Sequence, residues 1–293
     1  QDPEARARPS IIEFLGKLAR AVSPGLQAAD DPTLLALHTV VAYVVRSSLD
    51  ESVAPLLGYD ACLLWARTLQ SSHHFTMPLF SLLDLVAPLM LQPDNAPLSC
   101  RISDEAFMLM PQDVLRNFGS EIIGSIGEVL GDSESPTVLP PVQTLESIMR
   151  CLSSPESYEA LVYFAELLHQ TGLVGSLLGI LVSDNEATTV ATQFASVISR
   201  MAYTLPIPLF HELVRAGAPR ISSAMPLTCP GDVWNLLIPA LTKCTEYINV
   251  TRRLKILALG LANIVRGAGD ADIQVFKHIP TIIGVWTDIL GCV

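Results

Sequence analysis

Thr251-Arg252-Arg253-Leu254-Lys255-Ile256-Leu257-Ala258-Leu259-Gly260-Leu261-Ala262-Asn263-Ile264-Val265 is the stretch whose reading decides the fold. Leu254, Leu257, Ala258, Leu261, Ile264 and Val265 recur at three- and four-residue steps, which draws one apolar stripe along a helix, and Arg252, Arg253 and Lys255 crowd its first turn. Trp234, Leu237, Ile238, Leu241, Cys244 and Ile248 form an equal stripe before it, and Phe276, Ile279, Ile283, Trp286 and Leu290 form another after it. Consecutive amphipathic helices joined by short turns bury their stripes only by packing side by side, and that is a helical array.

The same grammar runs back to the start of the chain. Asp31-Pro32-Thr33 opens a helix with a capping Asp and a first-turn Pro, and Leu34, Leu37, His38, Val41, Val44 and Val45 carry its stripe. His38 on that stripe reads as a packed core residue. Cys62, Trp65, Ala66 and Leu69 share the face of the next helix. Met77-Pro78 starts another with Leu79, Leu82, Leu83, Val86 and Met90 inward, and Gln92 to Pro97 closes it, the pattern resuming at Ser103. Pro111-Gln112-Asp113 seeds a long helix through Val114, Leu115, Phe118, Ile122, Ile126 and Leu130. No segment alternates in the manner of a strand. Residues 1–9 read as a linker or disordered start and 10–293 as one array, an excerpt of a longer solenoid. Paired helices recur every ~40 residues, the period of HEAT-type repeats, although no repeat consensus is strong and the ankyrin and tetratricopeptide signatures are absent. The fold class is therefore all-α: a HEAT-repeat solenoid, a right-handed superhelix of antiparallel helix pairs, with about six to seven repeats.

Composition narrows the function. Half of the 293 residues are hydrophobic and only 6% aromatic, which suits Leu- and Ala-rich helices. The 18 Lys and Arg against 29 Asp and Glu give a net charge of −11, which argues against nucleic acid as a partner and for basic partners. The longest apolar run, Leu173 to Val182, falls short of the roughly 18 to 20 residues a membrane span needs. Extending it back to Val162 takes in Glu166, His169 and Gln170, so the chain reads as soluble, without membrane insertion. Six cysteines without C-x-x-C spacing read as free thiols.

Catalytic signatures are missing. There is no G-x-G-x-x-G, no phosphate-binding G-x-x-x-x-G-K-[ST], no H-E-x-x-H and no G-x-S-x-G. His73 and His74 are adjacent, so they cannot chelate from one helix face and read as a loop pair. Gly172, Gly175 and Gly179 read as small residues that let helices approach closely. Glu166 and His169, three apart, could pair by a hydrogen bond but lack a nucleophile. Neither a catalytic residue, a metal ligand nor a cofactor is expected.

Certain helices resemble a known family. Leu63-Leu64-Trp65-Ala66-Arg67-Thr68-Leu69, followed by Leu79, Leu82, Leu83 and Ala87-Pro88-Leu89, is similar to a helix pair in the later repeats of importin-eleven-type nuclear transport receptors. Arg252 to Leu259 resembles a helix further on in that family, which opens with paired basic residues, and Val285-Trp286-Thr287-Asp288 resembles the ending of its fungal members. The likeness covers most of residues 55–293. It implies a karyopherin-beta: a superhelix that shuttles between cytoplasm and nucleus through the nuclear envelope, binds phenylalanine-glycine nucleoporins and releases protein cargo when the GTP form of Ran binds. Ran contact is expected through the parent protein's N-terminal repeats, because the family's main Ran surface lies there. Basic protein cargo would meet an acidic concave surface, to which Asp132, Glu134, Asp184, Glu186, Asp270 and Asp272 are the candidate contributors. A HEAT or armadillo scaffold of a phosphatase or of vesicle trafficking is the alternative. An all-helical enzyme is remote, since Pro32-Thr33-Leu34 after Asp30-Asp31 breaks the D-D-x-x-D run of isoprenoid synthases.

Overall fold

The computed structural model describes residues 31–131, 138–183, 189–221, 227 and 229–291. The linker expected over 1–9 and the first part of the array expected from residue 10 lie outside them. Every regular element among the described residues is an α-helix or a 3-10 turn. The chain forms two compact units, Gln1–Ser125 and Ile126–Val293.

In the first unit, α1 (Asp31–Ser48) packs on α2 (Ala54–Ser71), and α2 packs on α5 (Ala96–Leu109). The stripes are those the periodicity drew: Leu34, His38, Val41 and Val45 are buried on α1, and Cys62, Trp65, Ala66 and Leu69 on α2. His38 is wholly buried, its Nδ1 2.9 Å from Thr76 Oγ1 and its Nε2 2.9 Å from Ser72 Oγ. Burial, reinforced by the nearby charges of His74 and His73, pushes its pKa down to about 4. The helix expected from Met77 is broken into α3 (Met77–Phe80), a 3-10 turn (Ser81–Leu85) and α4 (Val86–Met90). Pro88 explains the break, because it has no N–H to give the Asp84 carbonyl four residues back. Leu79, Leu82, Leu83, Val86 and Met90 are nonetheless all buried. Helix α5 starts at Ala96, earlier than the expected Ser103, because Pro97 sits in its first turn, where the absent N–H costs nothing, instead of closing the preceding helix.

The long helix α6 (Pro111–Gly131) follows the expected span. In the second unit come α7 (Leu139–Cys151), α8 (Tyr158–Thr171), α9 (Leu173–Ser183), α10 (Thr189–Thr204), α11 (Ile207–Ile221), α12 (Trp234–Cys244), α13 (Thr251–Gly267) and α14 (Ile279–Gly291). Helices three apart in the chain stand side by side: α7 against α10, and α10 against α13. Helices α9 and α11, two apart in the chain, also stand side by side. Arg200 of α10 reaches Glu146 of α7 at 3.1 Å, and Asn263 of α13 donates to the Ala202 carbonyl of α10 at 3.1 Å.

Glycine makes two of these crossings possible. A Cβ on Gly260 would lie 2.6 Å from the Ser199 carbonyl oxygen of α10, and one on Gly217 of α11 would lie 3.0 Å from the Gly175 backbone of α9. Close packing therefore holds for Gly175; Gly179 has nothing within 4 Å, and Gly172 instead ends α8 in the left-handed region at φ 62°. The bent pair α8 and α9 turns by 69° there, and no helix among the described residues is long and apolar enough to cross a membrane.

The last helix departs from its expected face. Ile282, Val285 and Ile289 are buried, whereas Ile283 and the preceding Phe276 are exposed. Trp286 is half-buried and donates its indole N–H to the Ala258 carbonyl at 3.1 Å. On α13 the buried centre is Leu257, Gly260, Leu261 and Ile264, with Leu254, Ala258 and Val265 at its edges. None of the five cysteines among the described residues forms a disulfide, and burial pushes the Cys62 thiol up to about 12, which makes it unreactive.

Candidate functional site

Of the six acidic residues expected on a partner-binding surface, Asp132, Glu134, Asp184 and Glu186 lie outside the described residues. Asp270 is exposed at the start of the 3-10 helix Asp270–His278. Asp272, two residues on, is not a surface residue: it is 2% exposed, and donors of the protein itself occupy both oxygens. His211 Nδ1 at 2.8 Å and Arg215 at 2.7 Å meet one oxygen, and the Trp234 indole N–H meets the other at 2.8 Å. Burial alone would raise the Asp272 pKa. The hydrogen bonds from Trp234, His211 and Arg215 outweigh it and hold the carboxyl below its usual range. Asp272 is therefore a core carboxylate that ties α11 and α12 to the 3-10 helix, and it cannot reach a partner. Gly267 leaves room for the His211 ring, since a Cβ there would stand 2.5 Å from His211 Nε2.

A surface site emerges where the sequence showed only one half of it. Helices α8 and α11 pack together and leave a groove of about 200 Å³ between Val162, Ala165, Glu166, His169, Gln170, Leu209, Glu212 and Leu213. Spacing of three and four residues explains the membership: Val162, Ala165, Glu166, His169 and Gln170 succeed one another along one side of α8, and Leu209, Glu212 and Leu213 along α11. Ala165 and Leu213 are buried in the floor, whereas Glu166, His169, Gln170 and Glu212 are exposed at the rim. Glu166 and His169 are three apart on one helix, which the sequence shows. Glu212, forty-odd residues away, comes to the same groove only through the packing of the two helices. An apolar floor beneath two carboxylates suits a Lys or Arg side chain, whose alkyl stem lies on the floor while its charge meets the rim.

The family model described as "Importin-11-like, TPR repeats" matches residues 26–293. The chain belongs to that family. The match extends the resemblance of 55–293 forward to include α1. Its description uses TPR for repeats that the sequence reading took as HEAT-type; both are stacks of paired helices, and the structure is an all-helical repeat array of that kind. The chain is accordingly an importin-type helical repeat protein. No curated protein and no solved structure matches it.

Proposed function

We propose that this chain is a later-repeat portion of a nuclear transport receptor, which binds protein cargo and carries it through the nuclear pore under control of Ran. The observation that carries this reading is the importin-11-like match, which spans all of the described residues. Cargo is basic, drawn by the net charge of −11 and held at acidic sites such as the Glu166 and Glu212 groove and Asp270. Asp132, Glu134, Asp184 and Glu186 belong to the same proposed surface. In a stack where each repeat touches mainly its neighbours, small rotations add along the array, so curvature changes and cargo release are coupled. The GTP form of Ran acts through the parent protein's N-terminal repeats, phenylalanine-glycine nucleoporins give passage, and the receptor shuttles between cytoplasm and nucleus. It is a carrier and needs no catalytic residue or cofactor.

Nuclear import in permeabilised cells tests it. Fluorescent basic cargo should accumulate in nuclei when the parent protein and Ran are supplied, and Glu166→Lys with Glu212→Lys should reduce that accumulation. Cargo uptake that ignores the parent protein contradicts the reading. Recovery of a stable phosphatase or vesicle-coat assembly would put a scaffold in its place.

A further inference from the structure

The turn between α2 and α3 carries two adjacent histidines, and the first turn of α1 brings an aspartate to it. His74 Nε2 stands 3.5 Å from Asp31 Oδ1, and one ligand atom from each of Asp31, His73 and His74 lies within 4.8 Å of the other two. Around a tetrahedral zinc ion with bonds of about 2.0–2.1 Å, neighbouring ligand atoms are roughly 3.3 Å apart. The His74–Asp31 pair already has nearly that separation. The His73 and His74 rings lie with centroids 4.4 Å apart and planes at 75°. The Asp31 side chain is 86% exposed, so packing does not fix its rotamer.

The turn is held from beneath. The buried His38 ring is hydrogen-bonded to Ser72 on one side of the histidine pair and to Thr76 on the other, 2.9 Å in each case. Ser72 Oγ in turn donates to the Thr68 carbonyl at 2.7 Å. Both flanks of His73-His74 are thereby fixed to α1 and α2, and α1 is the helix that supplies Asp31. Preorganisation of this kind distinguishes a ligand set from two histidines on a loose loop, because little ordering remains to be done on binding.

We propose that Asp31, His73 and His74 bind a divalent cation of the zinc type. Two imidazoles and one carboxylate favour Zn2+, Cu2+ or Ni2+ over Mg2+ or Ca2+, which take oxygen ligands. Three protein ligands leave a fourth tetrahedral position for water. The ion joins the start of α1 to the turn after α2, so it closes the α1–α2 hairpin at its open end.

The test is calorimetric titration of the untagged 293-residue chain with Zn2+ alone, with the visible spectrum of bound Co2+ as a second readout of ligand geometry. One equivalent should bind in the micromolar range, and His73→Ala, His74→Ala and Asp31→Asn should each weaken it by at least ~10-fold. His169→Ala, an exposed histidine elsewhere, should leave it unchanged. All four side chains lie at the surface, and circular dichroism verifies that the variants keep the helical fold. Absence of saturable binding below about 100 μM, or affinity in His73→Ala and His74→Ala equal to that of the unaltered chain, overturns the proposal and leaves His74–Asp31 as a simple contact.

Discussion

The two units bury opposite kinds of polar centre. In Gln1–Ser125 the centre is His38, uncharged and shared between two hydroxyl groups. In Ile126–Val293 it is Asp272, an ionised carboxylate shared among an imidazole, a guanidinium and an indole. A neutral centre costs less to bury and tolerates the loss of a partner, because hydroxyl groups can turn to other acceptors. An ionised one is stable only while every donor stays in place. The units also differ in how helices meet: the second relies on Gly217 against Gly175 and Gly260 against Ser199, whereas Gly58 in the first has only ordinary contacts, 3.7 Å to Leu49 and 3.8 Å to Ala54.

The largest way to break the comparison is Asp272→Ala, which strands buried donors of His211 and Trp234 together with the Arg215 charge. It should destabilise the second unit by about 3–5 kcal/mol, read from urea denaturation. An effect below ~1 kcal/mol would show that the carboxylate is not what holds α11, α12 and the 3-10 helix together.

Acid separates the units next. The unfolded His38 takes a proton near pH 6.5, whereas the folded one waits until about 4. Between those values the unfolded state binds the extra proton, so stability falls as the pH falls, by up to about 3 kcal/mol in total, and is flat again below. Asp272 has the same sign in a lower window: its contribution is intact above the ordinary carboxylate range and is lost as the pH drops through its depressed pKa. Denaturation between pH 7 and 4.5, with a chelator present, should therefore weaken the first unit, and His38→Leu should remove most of that dependence. Equal sensitivity in wild type and His38→Leu would refute the neutral-centre account.

Glycine substitutions give the smaller effects. Gly260→Ala should cost about 1–3 kcal/mol, since its methyl group meets backbone at Ser199 and the helices must part. Gly58→Ala should gain up to ~1 kcal/mol from helix propensity alone. Thermal midpoints that moved together would erase the difference in helix crossing.

How much of this was legible depends on the reach of each interaction. Stripes on α1, α2 and the Met77 to Met90 segment could be read because they are local patterns, and they stayed buried even where Pro88 broke the helix. The face of α14 could not, because Ile279, Ile282, Ile283, Val285, Trp286 and Ile289 form a stripe nearly half the helix wide, and periodicity does not say that the edge carrying Ile282, Val285 and Ile289 is the one the neighbouring helices cover. Asp272 reads as a surface contributor in the sequence because its partners His211, Arg215 and Trp234 are distant along the chain. Glu212 was missed for the same reason. Adjacency keeps His73 and His74 from chelating on one helix face, but it is silent about Asp31, which reaches them from α1.

The most direct measurement is a pull-down from nuclear extract with the parent protein and with this chain, each with and without Ran locked in its GTP state. The account predicts that basic proteins captured by the parent are lost when Ran is added, and that this chain retains a share of them which Glu166→Lys with Glu212→Lys removes. Capture indifferent to Ran, or a fixed phosphatase or coat complex in place of basic cargo, would contradict it.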